Sequence, residues 1–252
     1  MQSVYLGKFS SLYELETFRK SIGTAFELVE TDDAYSTDNW MKRQQRFYEL
    51  SLLGQMPRHS NLPLILSLRP NSRVLDIGGG SGWIFNILGQ NSNYKNLEID
   101  SVREFFSKEY NSASRYISNK REIITFKPEI LYANSVLQYL TSEKEFEEIV
   151  LMGNPQHILL DDLYLTEEED FFSLQRYYGK FIPTIILSST RLEEALENLG
   201  YSLLLDISFH VSHTSEMRME IELSDGGIEG IAPPRTMMFT KLNTNLRGQN
   251  DT

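Results

Sequence analysis

The sequence predicts an α/β fold in which a mostly parallel β-sheet, with an antiparallel last strand, carries helices on both faces. From residue 73 onward, short apolar runs alternate with segments of helical period, which is typical of repeated strand–helix units. Candidate capping boxes mark three helix starts: Ser142 with Glu145, Thr166 with Glu169, and Thr190 with Glu193. A chain of 252 residues with 40% hydrophobic composition can bury one sizeable core. We therefore expect one α/β domain with an extension.

Seven apolar segments are the predicted strands of this sheet: residues 73–77, 94–99, 115–118, 130–133, 157–161, 202–207 and 236–242. Residues 217–223 alternate apolar and charged, which predicts a further, half-exposed strand, added antiparallel, before a turn at 225–227. Gly200 is a candidate stop for the helix that begins near Thr190. We expect the core domain to span residues 71–242 and the polar residues 243–252 to form a disordered tail.

The first 70 residues are predicted to form a helical extension, or cap, in front of the core. Apolar residues recur at helical spacing over residues 12–18 and again over residues 40–53. Three prolines between residues 55 and 70 favour turns or short helical pieces there. Three residues of the cap are candidates for closing a site in the core domain: Trp40, Arg43 and Arg58.

The composition excludes several classes of function. The formal net charge is −11, and because binding to nucleic acid requires a basic face, RNA and DNA substrates are disfavoured. The chain has no cysteine, so it can form neither disulfides nor thiolate metal sites. No signal peptide or apolar segment of membrane length is found, which predicts a cytoplasmic protein without membrane insertion. A small-molecule substrate and a homo-oligomeric state are both compatible with this composition.

Residues 74–82 read Val-Leu-Asp-Ile-Gly-Gly-Gly-Ser-Gly, which places an acid at the end of a buried strand and a glycine loop after it. Glycines allow the backbone to turn sharply, to approach a ligand closely and to let the next helix pack on the strand. The candidate ligand-binding residues of this loop are Asp76, Gly78, Gly79, Gly80 and Gly82. The pattern favours a ligand that contains a nucleoside.

The loop does not fit a dinucleotide cofactor. Such a site requires Gly-x-Gly-x-x-Gly, but Trp83 or Phe85 stands at the third glycine position in the two registers. Asp76 would repel a pyrophosphate, whereas it can bind an ammonium group directly or through water. The loop therefore favours S-adenosylmethionine, which carries such an ammonium group, over NAD.

A second acid is expected at the end of the next strand, where its two oxygens can accept hydrogen bonds from both ribose hydroxyls. Glu98 follows the run at 94–97, and Asp100 lies two residues further on in the same phase. Both residues fit by position, so Asp100 is an alternative to Glu98.

With these residues in place, residues 73–140 resemble a class I S-adenosylmethionine-dependent methyltransferase, with the glycine motif at 74–82 and the fourth strand at 130–140. The resemblance implies a Rossmann-like fold and S-adenosylmethionine as the cofactor. The sequence Leu-Glu-Ile-Asp at 97–100 resembles methyltransferases in which the glutamate binds the ribose, which favours Glu98.

Residues 134–140, Asn-Ser-Val-Leu-Gln-Tyr-Leu, are similar to the S-x-L-Q-Y segment of a family of bacterial methyltransferases often encoded among surface-polysaccharide genes. Tyr35-Ser36 and Arg58-His59-Ser60 lie roughly where that family has short polar signatures. The resemblance implies a role in polysaccharide biosynthesis. After the fifth strand the family has Asp-Arg-Thr-Pro, whereas this chain has Asp-Asp-Leu-Tyr at 161–164, which weakens a transfer of substrate.

Further site candidates lie at the carboxyl ends of strands, where open α/β sheets bind ligands. Asn134, Ser135 and Gln138 are candidate cofactor-binding residues, with helix capping as the alternative role. Asp161 is a candidate general base or substrate contact. With Asp162 it could hold a divalent cation, but the aspartate that such enzymes need after the fourth strand is missing, so no metal is expected.

Histidines are the other candidate bases. His210 and His213 are candidate catalytic residues, and His59 lies in a segment that could reach the same face of the sheet. His157 starts a strand and is expected to be structural.

The main hypothesis is methyl transfer from S-adenosylmethionine to a small molecule, with an oxygen of a sugar or related metabolite as the acceptor. Methyl transfer is an in-line displacement that depends chiefly on alignment, so little side-chain chemistry is obligatory. Two alternatives stay open: a non-catalytic protein that binds the cofactor and acts through a partner, and an NAD-dependent oxidoreductase.

Overall fold

A computed structural model describes residues 4–21, 35, 37–58, 60–89, 93–140, 143–177, 180–208 and 235–242. Within these ranges the chain forms two β-sheets and helices on both faces of the larger sheet, which confirms the predicted α/β class. The predicted strand at 217–223, the turn at 225–227 and the tail at 243–252 lie outside the described residues. In the described part of the chain, each helix is too short or too polar to cross a bilayer.

The larger, main sheet contains six strands: β2 (Val74–Ile77), β3 (Tyr94–Leu97), β4 (Ile130–Asn134), β5 (His157–Leu163), β9 (Tyr201–Ser208) and β10 (Arg235–Lys241). The smaller, second sheet contains four: β1 (Val4–Phe9), β6 (Leu165–Thr166), β7 (Phe171–Tyr177) and β8 (Lys180–Ser188). The helices are α1 (Leu12–Ser21), α2 (Asp38–Leu52), α3 (Leu62–Leu68), α4 (Trp83–Ile87), α5 (Asp100–Glu109), α6 (Arg121–Phe126), α7 (Glu143–Gly153) and α8 (Ser189–Asn198).

The main sheet has the strand order β3-β2-β4-β5-β10-β9. β2 pairs in parallel with β3 and with β4, and β4 pairs in parallel with β5. β10 runs antiparallel to both of its neighbours, β5 and β9, as predicted for the last strand. The carboxyl ends of β2, β4 and β5 therefore meet at one edge of the sheet, because parallel strands end on the same side.

The strand predicted at residues 115–118 is reduced to one bridge. Ala113–Arg115 form a 3₁₀ turn, and Tyr116 then pairs in parallel with Asn96 of β3 at a single position. Tyr116 and Ile117 are buried but Ser118 is exposed. Because only two successive residues are apolar enough to enter the core, the pairing with β3 is limited to one position.

Each face of the main sheet carries its own apolar core. Leu75 and Leu131 pack with α6, α7 and α8 on one face. Val74 and Tyr132 pack with α2, α3 and α4 on the other. Because side chains alternate along a strand, Asp76 projects to the same face as Val74, toward the N-terminal helices.

The cap helices contribute core residues on that second face. Phe47 of α2 meets Trp83 of α4 edge-on with ring centroids 6.4 Å apart, and Trp40 meets Phe106 of α5 at 6.5 Å. Trp40 is 5% exposed, and the guanidinium of Arg43 lies over the ring of Phe47. Trp40 thus helps to hold α2 against α5, whereas the contact of Arg43 with Phe47 lies within α2 itself.

The second sheet was not predicted. Its order is β1-β7-β8-β6, with β7 antiparallel to both β1 and β8. The cap expected to be helical over residues 1–70 therefore begins with a strand. Leu15 of α1 packs against Leu174 of β7 and Phe181 of β8 in a small core of its own.

One predicted helix start was wrong, and another lies within two residues of the observed N-cap, which is Ser188 rather than Thr190. Thr166, expected to begin a helix with Glu169, ends β6 instead, and residues 167–170 lead into β7. β7 and β8 form an antiparallel hairpin that pairs along seven positions, so strand pairing outweighs the local capping signal. α8 begins at Ser189, and Gly200 follows it with φ +86°, as expected for a C-terminal stop. Ser142 lies outside the described residues.

Candidate functional site

The glycine loop after β2 requires glycine at several positions. Gly78, Gly80 and Gly82 have φ values of +68°, +58° and +68°, a region that other residues adopt at a cost. Space is also limited: a Cβ atom on Gly80 would lie 2.3 Å from Oε1 of Gln44, and one on Gly79 would lie 2.4 Å from Oδ2 of Asp76. The loop therefore fits against α2 and the end of β2 only because side chains are absent.

Every backbone N–H group of the loop donates a hydrogen bond within the protein. The acceptors, in order from Gly78 to Gly82, are Leu97 O (2.9 Å), Asn96 Oδ1 (3.1 Å), Glu98 Oε1 (2.6 Å), Gln44 Oε1 (3.3 Å) and Gly79 O (3.0 Å). A phosphate-binding loop needs N–H groups directed at the ligand. In this loop the N–H groups donate to acceptors within the protein instead. This arrangement disfavours a pyrophosphate ligand and hence the NAD alternative.

Two buried residues next to the loop were missed in the sequence. Asn96 of β3 also donates through Nδ2 to the carbonyl of Gly80 at 3.1 Å, and the hydroxyl of Tyr116 donates to the same carbonyl at 3.0 Å. Asn96 is paired with Asp76 in the parallel ladder. Asn96 could have been found in the sequence, because it is an amide side chain at an inward position of a predicted strand. A buried amide needs hydrogen-bond partners.

Asp76 is a buried acid with a single hydroxyl donor. Its Oδ2 accepts a hydrogen bond of 2.5 Å from the hydroxyl of Tyr94. Burial raises the pKa of Asp76 to about 8; the nearby charge of Glu98 also raises it, whereas Tyr94 and the positive charge of Arg58 lower it. The carboxyl group therefore tends to hold its proton near neutral pH, and a cation beside it would favour ionisation.

Glu98 faces the loop and Asp100 does not. The two carboxylate oxygens of Glu98 accept hydrogen bonds from Gly80 N at 2.6 Å and Ile99 N at 3.0 Å. Asp100 begins α5 with its side chain 81% exposed, and it pairs with Arg103 at 3.1 Å. Of the two acids, Glu98 is the one positioned beside the glycine loop.

The turn after β4 lies against the loop, as expected for neighbouring strand ends. A Cβ atom on Gly78 would lie 2.5 Å from Val136. Ser135 has φ +54°, and Nε2 of Gln138 donates to its carbonyl and hydroxyl oxygens at 3.3 Å. Asn134 donates to the hydroxyl of Tyr132 at 2.8 Å. The structure thus brings these three predicted residues to the same edge as the glycine loop.

Asp161 does not have the environment of a general base, contrary to one of its predicted roles. It is completely buried, and Asn61 donates to it twice, from its backbone N at 2.7 Å and from Nδ2 at 2.9 Å. The hydroxyl of Thr236 donates to it at 2.8 Å. A carboxylate with these three donors joins the N-terminal segment to β5 and β10, and it presents no surface to a substrate.

Asp162, the next residue, is more accessible. It forms an ion pair with Arg58 across 104 residues of sequence, and the hydroxyl of Tyr164 donates to its Oδ1 at 3.2 Å. The side chains of Arg58 and Asp162 are 28% and 18% exposed. Arg58, a predicted site-closing residue, is therefore held at the carboxyl end of β5.

Three of the four histidines considered as candidates cannot be placed in the described part of the chain. His59, His210 and His213 lie outside the described residues. His157 starts β5, at the opposite end of the strand from Asp161, and burial lowers its pKa. Over the described ranges, His, Cys, Asp and Glu side chains do not gather into a group of three that could hold a metal ion.

Comparison with known proteins reveals similarity of fold. A scan against protein-family models and a search of curated proteins found no match. A solved structure of 1,6-didemethyltoxoflavin-N1-methyltransferase from Burkholderia thailandensis, which contains S-adenosylhomocysteine, is similar at 10% identity with a TM-score of 0.49. The match covers 94% of this chain and 93% of that chain.

Two other methyltransferases have comparable likeness. Magnesium protoporphyrin IX methyltransferase from Synechocystis PCC 6803 matches at 10% identity with a TM-score of 0.43, over 92% of this chain and 95% of that one. A glycopeptide N-methyltransferase matches at 13% identity with a TM-score of 0.46, over 94% of this chain and 100% of that one. At such low identities, the likeness concerns the fold alone.

Proposed function

We propose that this protein transfers a methyl group from S-adenosylmethionine to a small-molecule acceptor. The observation that carries the proposal is the glycine loop, whose N–H groups are all used within the protein and which lies between the carboxyl groups of Asp76 and Glu98. Because the donors of the loop are used internally, the groups that the site presents to a ligand are hydrogen-bond acceptors. S-adenosylmethionine offers an ammonium group and two ribose hydroxyls, all of which are donors.

Glu98 is the residue that we assign to the ribose. Its two oxygens accept from two backbone N–H groups, and a carboxylate can accept about four hydrogen bonds in all. Asp100 is exposed to solvent and paired with Arg103, so we do not assign it to this role.

Asp76 is the residue that we assign to the ammonium group, directly or through water. Because its buried carboxyl has only one hydroxyl donor, a cation nearby would stabilise the ionised form. The loop glycines, with Asn134, Ser135 and Gln138 at the adjoining edge, complete the proposed contacts to the cofactor.

The bound cofactor would supply an electrophilic methyl group attached to a sulfonium. The task of the chain is then to align the acceptor and exclude water. For the acceptor we propose an oxygen of a sugar or related metabolite, supported by the resemblance of residues 134–140 to methyltransferases encoded among polysaccharide genes and by the net charge of −11, which disfavours polyanions. His210 and His213 are our candidates for the base that a hydroxyl acceptor would use.

Calorimetric titration with S-adenosylhomocysteine tests the cofactor assignment. We expect wild-type protein to bind it and Glu98→Gln to bind at least about tenfold more weakly, because a carboxylate that accepts two hydroxyls is replaced by an amide. The matched control is Asp100→Asn, for which we expect wild-type affinity. Failure of folded wild-type protein to bind S-adenosylhomocysteine would refute the proposal, and tight binding of NAD would support the oxidoreductase.

A second measurement tests transfer itself. Protein incubated with methyl-labelled S-adenosylmethionine and a panel of sugars and extracts from the source cells should yield a labelled small molecule detectable by mass spectrometry. Cofactor binding without any labelled product would instead support the non-catalytic alternative.

A further inference from the structure

The chain just before α3 is docked on β4 and β5 by polar contacts from three residues, Arg58, Ser60 and Asn61. The hydroxyl of Ser60 lies 2.7 Å from that of Tyr132, Asn61 holds Asp161, and Arg58 pairs with Asp162. The Ser60 and Asn61 contacts involve buried partners. Arg58 is the member of this set whose charged group stays partly accessible.

The ion pair with Asp162 holds the guanidinium of Arg58 at the carboxyl end of β5, on the edge of the sheet that carries the proposed cofactor site. Burial raises the pKa of Asp76 in β2, of Tyr139 after β4 and of Tyr164 after β5, and the positive charge of Arg58 opposes that rise in all three. These three strands are neighbours and run parallel. Arg58 therefore lies on the same edge of the sheet as the acid that we assign to the ammonium group of the cofactor.

We propose that Arg58 binds the α-carboxylate of the cofactor, and that Asp162 holds the guanidinium in position until the cofactor arrives. This inference depends on the proposed function and assigns one more contact of the same site. An α-amino acid carries an ammonium group and a carboxylate on one carbon, so a carboxyl group and a guanidinium at neighbouring strand ends are complementary to it. Arginine suits this task because its planar fork can donate two parallel hydrogen bonds to a carboxylate.

The ion pair with Asp162 gives the proposal a distinctive consequence. If the cofactor carboxylate competes with Asp162 for Arg58, then weakening the internal partner should strengthen binding. Asp162→Asn removes the charge and keeps the shape, so we expect it to bind S-adenosylhomocysteine several-fold more tightly than wild type. A purely structural ion pair would give the opposite result, because its loss would loosen the docked segment and weaken binding.

The decisive experiment compares two ligands by calorimetry: S-adenosylhomocysteine and 5′-methylthioadenosine, which has the same nucleoside but lacks the amino acid portion. For Arg58→Gln we expect S-adenosylhomocysteine to bind about tenfold or more weakly and methylthioadenosine to bind as it does to wild type. Arg191→Gln, which removes an exposed arginine paired with Asp170, is the control for loss of charge and should bind both ligands normally.

Each other outcome has a definite meaning. Equal weakening of both ligands in Arg58→Gln, or no weakening of either, overturns the assignment of Arg58 while the proposed function stands. If folded wild-type protein binds neither ligand, the proposed function itself has failed, and this inference fails with it.

Discussion

The glycine loop after β2 and the carboxyl end of β5 lie at the same edge of the main sheet, and each contains a buried aspartate. Asp76 has one hydroxyl donor, Tyr94, and its pKa is raised to about 8 by burial. Asp161 has three donors from Asn61 and Thr236. Among the described residues, the same residue type thus has one hydroxyl donor in one place and three donors, which make it an anchor of the fold, in the other.

The difference lies in where the partners come from. The donors to Asp161 are 100 and 75 residues away in sequence, whereas the loop and its acceptors are concentrated between residues 76 and 98, with Gln44 as the distant exception. An acid that is left short of donors inside the fold can respond to a ligand, and one that is fully bonded can only hold the fold together.

The largest expected effect is the loss of stability when Asp161 is replaced. Asp161→Ala would leave the two N–H donors of Asn61 and the hydroxyl of Thr236 buried without their acceptor, so we expect the free energy of unfolding to fall by roughly 3 kcal/mol or more. Urea denaturation measures this loss. Asp100→Ala, at an exposed aspartate, is the control, with an expected change of about 0.5 kcal/mol.

The variant Asp161→Asn distinguishes a structural role of Asp161 from a role as general base, when its stability and its methyl transfer are both measured. A variant that folds with nearly wild-type stability yet has lost all methyl transfer would restore the catalytic interpretation of Asp161.

The next largest effect is the loss of stability from a substitution in the glycine loop. Gly80→Ala combines the cost of a positive φ, about 1 kcal/mol, with a Cβ atom 2.3 Å from Gln44, so we expect a loss of roughly 2 kcal/mol or more. Gly89→Ala is a matched control, because Gly89 has φ +73° but nothing within 4 Å of a Cβ atom, and it should lose only the backbone cost of about 1 kcal/mol.

Removing the obstructing side chain gives the complementary test. Gln44→Ala in the Gly80→Ala background should recover part of the stability measured by denaturation. No recovery would mean that the contact with α2 does not limit the loop.

The smallest expected effect, when measured over one pH unit near neutrality, is a pH dependence from Asp76. Its folded-state pKa of about 8 lies above the ordinary value of 3.8, so the folded protein holds a proton that the unfolded chain has released. Stability from this group is therefore complete below about pH 4 and is lost as the pH rises toward 8, by about 1 kcal/mol between pH 7 and pH 8. Asp76→Asn should flatten this part of the stability curve, and an unchanged slope would contradict the assignment.

The comparison also explains what could be predicted from sequence. β2, β4 and the glycine loop were predictable because local patterns, a buried run and glycines at alternate positions, determine them. The position of Glu98 beside the loop was predictable because it follows a strand at a fixed separation. Asp161 was assigned as a candidate base because it also follows a strand, and no local pattern reveals that Asn61 and Thr236 will surround it.

The second sheet could not be predicted for the same reason. The capping pattern of Thr166 with Glu169 is a genuine helix signal at short range, but β7 and β8 are stabilised by each other and by β1. β1 itself has little pattern of its own. Its conformation depends on a partner that begins at residue 171, which no local window contains.

The pairing of β1 with β7 has a consequence for biosynthesis. Val4 pairs with Arg176, so β1 is synthesised more than 160 residues before its partner strand. At about 5 to 20 residues per second, the interval lasts roughly 10 to 30 seconds. During this time β1 is an unpaired, strand-forming segment, and a foreign sequence fused next to it would compete with the closure of the second sheet.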